Sequence, residues 1–142
     1  MRSPVPPRLF TPAEVDALLP ELVPLMETVM DRYRQASALR RALEEEHEQR
    51  AGAGRAATAR PEWQARLERL DGLGIEVRQA VAAVVALGGV IKDLEIGLVD
   101  FPGLIPGIRD EEPVNLCWKH GETAVRFWHG FDEGYAQRKP LP

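Results

Sequence analysis

The sequence predicts a mostly α-helical α+β protein, in which a long antiparallel helical hairpin packs at its base against a small antiparallel β-sheet of about three strands. Three observations predict this fold: two long segments with apolar residues every three or four positions, a Gly- and Ala-rich break between them, and alternating apolar residues in the C-terminal third. The length of 142 residues fits a single domain. Hydrophobic residues make up 44% and charged residues 28%, as in ordinary globular proteins.

The first helix is predicted over residues 11–50, after a proline-rich extended arm at residues 1–10. Thr11 and Glu14 have the spacing of a capping box, in which each side chain accepts a hydrogen bond from the other residue's backbone N–H. Pro12 suits the first helical position, where no backbone donor is needed. The helix should therefore begin sharply at this point.

A tip loop is predicted at residues 51–61, where glycines and Pro61 interrupt the helical pattern, and a second helix at residues 62–92. Along this helix apolar and small residues recur in steps of four and three, which is the spacing of a coiled coil. We call the central apolar residues of this pattern the hairpin seam: Leu67, Leu70, Val77, Val81 and Val84.

A β-element is predicted over residues 93–129, followed by a tail at 130–142. Its first strand would run through Leu94 to Val99. A hairpin would follow with a two-residue turn at His120 and Gly121. That turn would set Leu116 opposite Val125.

Four motifs carry a resemblance to a known family: DLEIGLVDFP at 93–102, LCWK at 116–119, FWH at 127–129 and GYxxRKPL at 134–141. With them the chain resembles, over its whole length, an uncharacterised bacterial family whose members are sometimes labelled cell-division-initiation proteins of the DivIVA type. The resemblance implies the same fold and no defined activity.

His129 is the first candidate for a metal ligand, because it ends a strand and carboxylates lie near it in sequence. A histidine with carboxylates can bind a divalent ion such as Mn²⁺, Fe²⁺ or Mg²⁺. The alternative is a structural histidine that bonds a backbone carbonyl or a carboxylate. The carboxylates that could join it are Glu95, Asp100, Asp132 and Glu133.

Cys117 is the only cysteine, so the chain cannot form an internal disulfide. A buried, unreactive role is the default for it, and nucleophilic catalysis is the alternative, with Lys119 and Arg126 as basic neighbours. A lone cysteine and the absence of an apolar leader or a membrane-length apolar segment indicate a cytoplasmic protein.

The favoured functional hypothesis is an interaction or scaffold protein that acts as a homodimer of packed hairpins and can also bind a protein partner. A metal-binding protein or metal-dependent enzyme is the first alternative. Nucleic-acid or polymerase binding through the tip arginines is the second, although the net charge of −4 disfavours nucleic acid. The tip arginines are Arg50, Arg55 and Arg60.

Overall fold

The computed structural model describes residues 8–52 and 61–142. Helix α1 (Pro12–Gly52) and helix α2 (Pro61–Leu87) pack along each other as the predicted hairpin. Most of the predicted arm and tip lie outside the described residues. Neither helix of the described part is long and apolar enough to cross a membrane.

The predicted capping box starts α1. The backbone N–H of Thr11 donates to Glu14 Oε1 at 3.0 Å, and the N–H of Glu14 donates to Thr11 Oγ1 at 3.2 Å. From there α1 continues for 41 residues, or about 60 Å. Its buried side chains follow one face: Val15, Leu19, Leu22, Met26, Val29 and Leu43.

Helix α2 buries a stripe that differs in part from the hairpin seam. Of the seam residues, Val84 is fully buried, while Leu67 is 38% exposed and the other three are half-buried. Leu73 and Ala80, outside the predicted pattern, are buried instead. A strict alternation of four and three has a period of 3.5 residues, so it drifts around a straight helix of 3.6 residues per turn.

Helix α2 ends at Leu87, five residues before the predicted end at 92. Gly88 has a φ of +106°, the left-handed conformation that commonly terminates a helix. The N–H of Gly89 bonds the carbonyl of Val84 at 3.2 Å, which satisfies one of the last helical acceptors. The chain then enters the sheet immediately.

The sheet has five antiparallel strands in the order β1-β2-β3-β4-β5, and a short 3₁₀ turn at Tyr135–Gln137 precedes the last strand. It confirms the predicted α+β class with two more strands than expected. The strands are β1 (Val90–Asp93), β2 (Leu98–Ile105), β3 (Arg109–Lys119), β4 (Phe127–His129) and β5 (Lys139–Pro140).

The predicted strand at Leu94–Val99 was wrong, because a turn occupies its first half. Asp93 Oδ1 accepts the N–H groups of Glu95 and Ile96 at 2.8 and 3.0 Å, which closes the turn between β1 and β2. Gly97 continues it with a φ of +73°. An aspartate that bonds the backbone two residues on competes with strand pairing.

The predicted hairpin register was also wrong. Leu116 pairs with Trp128 instead of Val125, and Cys117 pairs with Phe127. The register therefore shifts by three residues. An odd shift moves every side chain of one strand to the opposite face of the sheet.

Side-chain bonds stabilise the wide connection between β3 and β4. Trp118 Nε1 donates to the carbonyl of Glu122 at 3.0 Å. The N–H of Val125 donates to Asp16 Oδ1 on α1 at 2.7 Å. Residues 120–126 are therefore held in a connection, whereas a tight turn would have placed most of them in the strand.

The main core lies between the helices and one face of the sheet. On that face Phe101, Leu116 and Trp118 are fully buried against apolar residues of both helices. Phe10, in the predicted arm, joins this core at 1% exposure and bridges to Gly103 of β2. The opposite face of the sheet, which we call the outer face, carries the polar groups described next.

Candidate functional site

Three polar side chains from neighbouring strands are buried together on the outer face. They are Asp100 on β2, Cys117 on β3 and His129 on β4, with exposures of 1%, 0% and 2%. Asp100 lies directly opposite Cys117, and His129 lies two residues further along β4 than Phe127, the partner of Cys117, so it is on the same face. One donor atom from each lies within 4.8 Å of the other two.

The two ring nitrogens of His129 have different partners. Nδ1 lies 2.8 Å from the carbonyl oxygen of Gly130, and Nε2 lies 3.0 Å from Asp100 Oδ2. A carbonyl oxygen only accepts hydrogen bonds, so Nδ1 carries the proton in this contact. In a neutral ring Nε2 then has a lone pair, which faces a carboxylate oxygen.

The Nε2–Oδ2 contact requires a positive centre between two acceptor atoms. That centre is either a proton, shared by the imidazole and the carboxyl group, or a metal ion. The other carboxylate oxygen, Asp100 Oδ1, is buried and has no hydrogen-bond partner in the described part of the chain. With a shared proton, the weak S–H donor of Cys117 is what remains for the carboxylate, whereas a cation can interact with all three groups.

Burial and, after it, the negative charge of Asp100 together raise the pKa of the Cys117 thiol to about 12. A reactive cysteine needs the opposite, because the thiolate is the nucleophile. The geometry therefore argues against Cys117 as a nucleophile in the protein as it stands. A metal ion would supply the charge that stabilises the thiolate, as it does in thiolate sites generally.

Arg138 lies beside Cys117, with Nη1 3.9 Å from the sulfur. Its guanidinium also pairs with Glu122 at 3.3 Å and stacks over the rings of Phe127 and Tyr135 at 4.0 and 4.7 Å. The GYxxRKPL segment is thus folded across the outer face. It shields the cysteine from solvent.

Of the predicted metal ligands, the structure brings His129 and Asp100 into contact. Glu133 lines a pocket beside them, but its Oε1 accepts bonds from Lys139 Nζ at 2.6 Å and the Gly130 N–H at 2.8 Å. These two bonds lower the pKa of Glu133, with the lysine contact as the larger cause. Glu133 is therefore engaged in fixing the loop after β4.

Two predicted ligands lie apart from the buried group. Glu95 lies on the β1–β2 turn and lines a cleft beside Tyr33 and Arg34 of α1. Asp132 is exposed in the loop after β4 and does not line the pocket beside His129. Neither shares a pocket with the buried group.

Cys117 was missing from the predicted ligand set, although it is the nearest sulfur donor. The wrong hairpin register put His129 on the same face as Leu116 and Trp118, so the cysteine fell on the other face. The alternation of side chains along β3 could have shown that Cys117 lies on the face opposite Leu116 and Trp118. Placing Asp100 and His129 on the same face as Cys117 also requires the register of β2 and β4.

The tip arginines do not form a described site. Arg50 forms an ion pair with Glu46 at 3.2 Å, one turn back on α1. Arg55 and Arg60 lie outside the described residues. Binding of nucleic acid through the tip stays a prediction.

The fold and the buried group together define a small α+β protein with a helical hairpin and an Asp–Cys–His cluster on its sheet. The chain belongs to the family described as "Uncharacterized conserved protein (DUF2203)", whose model matches residues 8–141. No curated protein and no solved structure matches the chain.

The cluster has the composition and size of a transition-metal site. Sulfur, imidazole and carboxylate ligands bind Zn²⁺ at about 2.0–2.3 Å, so ligand atoms around a tetrahedral ion lie roughly 3.3–3.8 Å apart. The donors here need only small displacements to reach that separation. A Nδ1–H bonded to a backbone carbonyl, which leaves Nε2 free, is the usual arrangement of a metal-binding histidine.

Proposed function

We propose that this protein binds one divalent transition-metal ion through Asp100, Cys117 and His129, with Zn²⁺ as the favoured occupant. The observation that carries the proposal is the contact between His129 Nε2 and Asp100 Oδ2 at 3.0 Å, with the only other ring nitrogen already bonded to a carbonyl. A cation between the two atoms removes the conflict between their lone pairs.

The cysteine decides which metal the site favours. Carboxylates and histidine alone would also suit Mn²⁺ or Mg²⁺, as the sequence suggested. A thiolate is a soft ligand and favours Zn²⁺ or Fe²⁺ over those harder ions. A reducing compartment such as the predicted cytoplasmic location would keep Cys117 available as a ligand.

Metal analysis of purified protein tests the proposal. We expect about one Zn²⁺ per chain after growth with zinc, and its loss in Asp100→Asn, Cys117→Ser and His129→Gln. His120→Gln and Asp132→Asn are matched controls, because His120 faces Glu27 at 3.5 Å and Asp132 is exposed. Both controls should retain the metal.

Reconstitution with Co²⁺ gives a second measurement. A cobalt ion bound by Cys117 should show a thiolate-to-metal charge-transfer band, which Cys117→Ser removes. The proposal would be contradicted if the melting temperature of metal-free wild type did not change on addition of Zn²⁺, Fe²⁺ or Co²⁺. The buried group would then be a proton-sharing structural pair.

We also propose, as a second function, self-association through the hairpin. A groove of about 490 Å³ lies between the helices, and its apolar lining includes three seam residues, Leu67, Leu70 and Val77. Asp71, Arg40 and Arg78 line the same groove. None of these charged groups has an ion-pair partner among residues 8–52 and 61–142, so a second copy related by a two-fold axis could pair them.

Light scattering tests this second function. We expect a mass of about twice 15.8 kDa at micromolar concentration. Leu67→Asp should give a folded monomer, because it puts a charge into the apolar contact. Ile75→Asp is the control, since Ile75 is 43% exposed on α2 and does not line the groove. A monomeric wild type would exclude the dimer.

A further inference from the structure

A pocket of about 320 Å³ opens on the outer face of the sheet directly beside the buried group. Asp100 and His129 line it, whereas Cys117 does not. Asn115 lines it too, directly opposite His129 in the sheet register. A metal ion held by the three donors would therefore have its pocket side open.

Three large apolar side chains lie at the rim of this pocket. Ile96, Phe131 and Tyr135 line it and are 37%, 59% and 40% exposed. Large apolar side chains that cluster around one concavity, with polar groups at its floor, are typical of a small-molecule site. An apolar body of a ligand would be stabilised between them.

Charged groups of both signs line the pocket. Asp93 accepts backbone N–H groups in the β1–β2 turn and keeps its negative charge, and Glu133 pairs with Lys139. Lys92 lines the same pocket, and no ion pair joins it to any residue in the described ranges. An anionic ligand would therefore find an unpaired ammonium group beside it.

We infer that the pocket binds a small carboxylate with an apolar body, whose carboxylate takes the open coordination position of the metal. The inference rests on the proposed metal function. Three protein ligands leave a tetrahedral ion one position for water or another ligand. Lys92 would attract the carboxylate, the Asn115 amide would donate to it, and Phe131 would cover the apolar body.

The Co²⁺ form allows a direct test, since the visible spectrum of cobalt changes when a ligand enters its coordination sphere. Benzoate is the probe, and acetate, which lacks the apolar body, is the comparison. We expect both anions to shift the cobalt bands, and benzoate to bind at least about tenfold more tightly than acetate, as burial of a ring in an apolar rim predicts.

Variants of the rim assign the contributions. Phe131→Ser should weaken benzoate several-fold and leave acetate unchanged, while Ile108→Ser should change neither, because Ile108 is 58% exposed but lies outside the pocket. Lys92→Met should weaken both anions, and Lys92→Arg should restore them. None of these variants should alter the affinity for Co²⁺.

The outcomes separate the two proposals. If the cobalt bands appear but neither benzoate nor acetate shifts them, the inference is overturned and the metal proposal stands. Equal affinity for benzoate and acetate would remove the apolar part of the inference. Absence of the cobalt charge-transfer band in wild type would overturn the metal function, and the inference with it.

Discussion

His129 Nε2 lies 3.0 Å from Asp100 Oδ2, and both side chains are almost completely buried on the outer face of the sheet. The carbonyl of Gly130 binds the other ring nitrogen, so the tautomer is set by the backbone. The pair therefore holds a cation, either a proton or a metal ion. Removing either member leaves the other buried and without its partner.

This relationship predicts a strong energetic coupling in metal-free protein. His129→Ala and Asp100→Ala should each lower the free energy of unfolding by about 3–5 kcal/mol, the usual cost of breaking a buried charged pair. The double variant should cost less than the sum, by about 1–3 kcal/mol. Urea unfolding in the presence of a chelator measures all three.

Asp132→Ala is the control for this cycle, because Asp132 is exposed and should stay within about 0.5 kcal/mol of wild type. Additive effects of the two buried substitutions would contradict the coupling.

The Cys117 thiol predicts how the metal-free protein responds to alkaline pH. Its pKa is raised from 9.0 to about 12 in the folded state, chiefly by burial. Below pH 9 the thiol is protonated in both states, and the contribution to stability is complete. As pH rises from about 9 towards about 12, only the unfolded thiol ionises, so stability is lost.

Unfolding curves of wild type and Cys117→Ala at successive pH values from 8 to 11 check this, with chelator present. The stability of wild type relative to the variant should fall above about pH 9. Other groups that titrate in this range act on both proteins and cancel in the difference. Parallel pH profiles would show that the folded thiol is not protected.

Two glycines predict opposite effects of the same substitution. A Cβ at Gly103 would lie 2.2 Å from the carbonyl oxygen of Phe10 and 2.6 Å from Leu116 Cδ1. That carbonyl already accepts the N–H of Leu104 at 2.8 Å, so it cannot move away without loss. A Cβ at Gly72 of α2 meets nothing within 4 Å.

Gly103→Ala should therefore destabilise the protein by about 1–3 kcal/mol or more, as overpacking does. Gly72→Ala should stabilise it by about 0.5–1 kcal/mol, because alanine loses less backbone entropy in a helix. Melting temperatures of the two variants against wild type provide the measurement. A neutral Gly103→Ala would show that the segment at Phe10 is not bound tightly to β2.

The sequence predicted the helical hairpin because its signals are local. Thr11 and Glu14 lie three residues apart, and the apolar spacing along α2 is visible within a few turns. The buried face of α2 was harder to predict. Leu73 and Ala80 are buried although they lie outside the predicted pattern, because packing against α1 determines which side chains are covered. The strict alternation of four and three has a period of 3.5 residues, and a straight helix moves away from it by about 20° per heptad.

The site depended on information that is not local. Asp100, Cys117 and His129 come from three strands, and each lies in a different motif of the resemblance. Their meeting requires the register of two strand pairs, which a seven-residue connection and the bond from Val125 to Asp16 determine. The predicted two-residue turn gave the wrong register, which placed Cys117 and His129 on opposite faces of the sheet.

That bond gives the last prediction, because it joins the connection before β4 to α1. The N–H of the buried residue Val125 donates to Asp16 Oδ1 at 2.7 Å. A hydrogen bond to a charged acceptor contributes about 1.5–3 kcal/mol when it is shielded, but Asp16 is exposed and solvent screens its charge, so Asp16→Ala should lower stability by about 1 kcal/mol. Asp16→Asn, which keeps an acceptor oxygen, should lose less, and Glu21→Ala, an exposed position of the same helix, should lose almost nothing.

The local measurement is hydrogen exchange: in Asp16→Ala the amide of Val125 and those of β4 should exchange faster, while the amides in the middle of α2 keep their protection. Unchanged exchange at Val125 in Asp16→Ala would show that other contacts hold this connection, and that the position of His129 does not depend on α1.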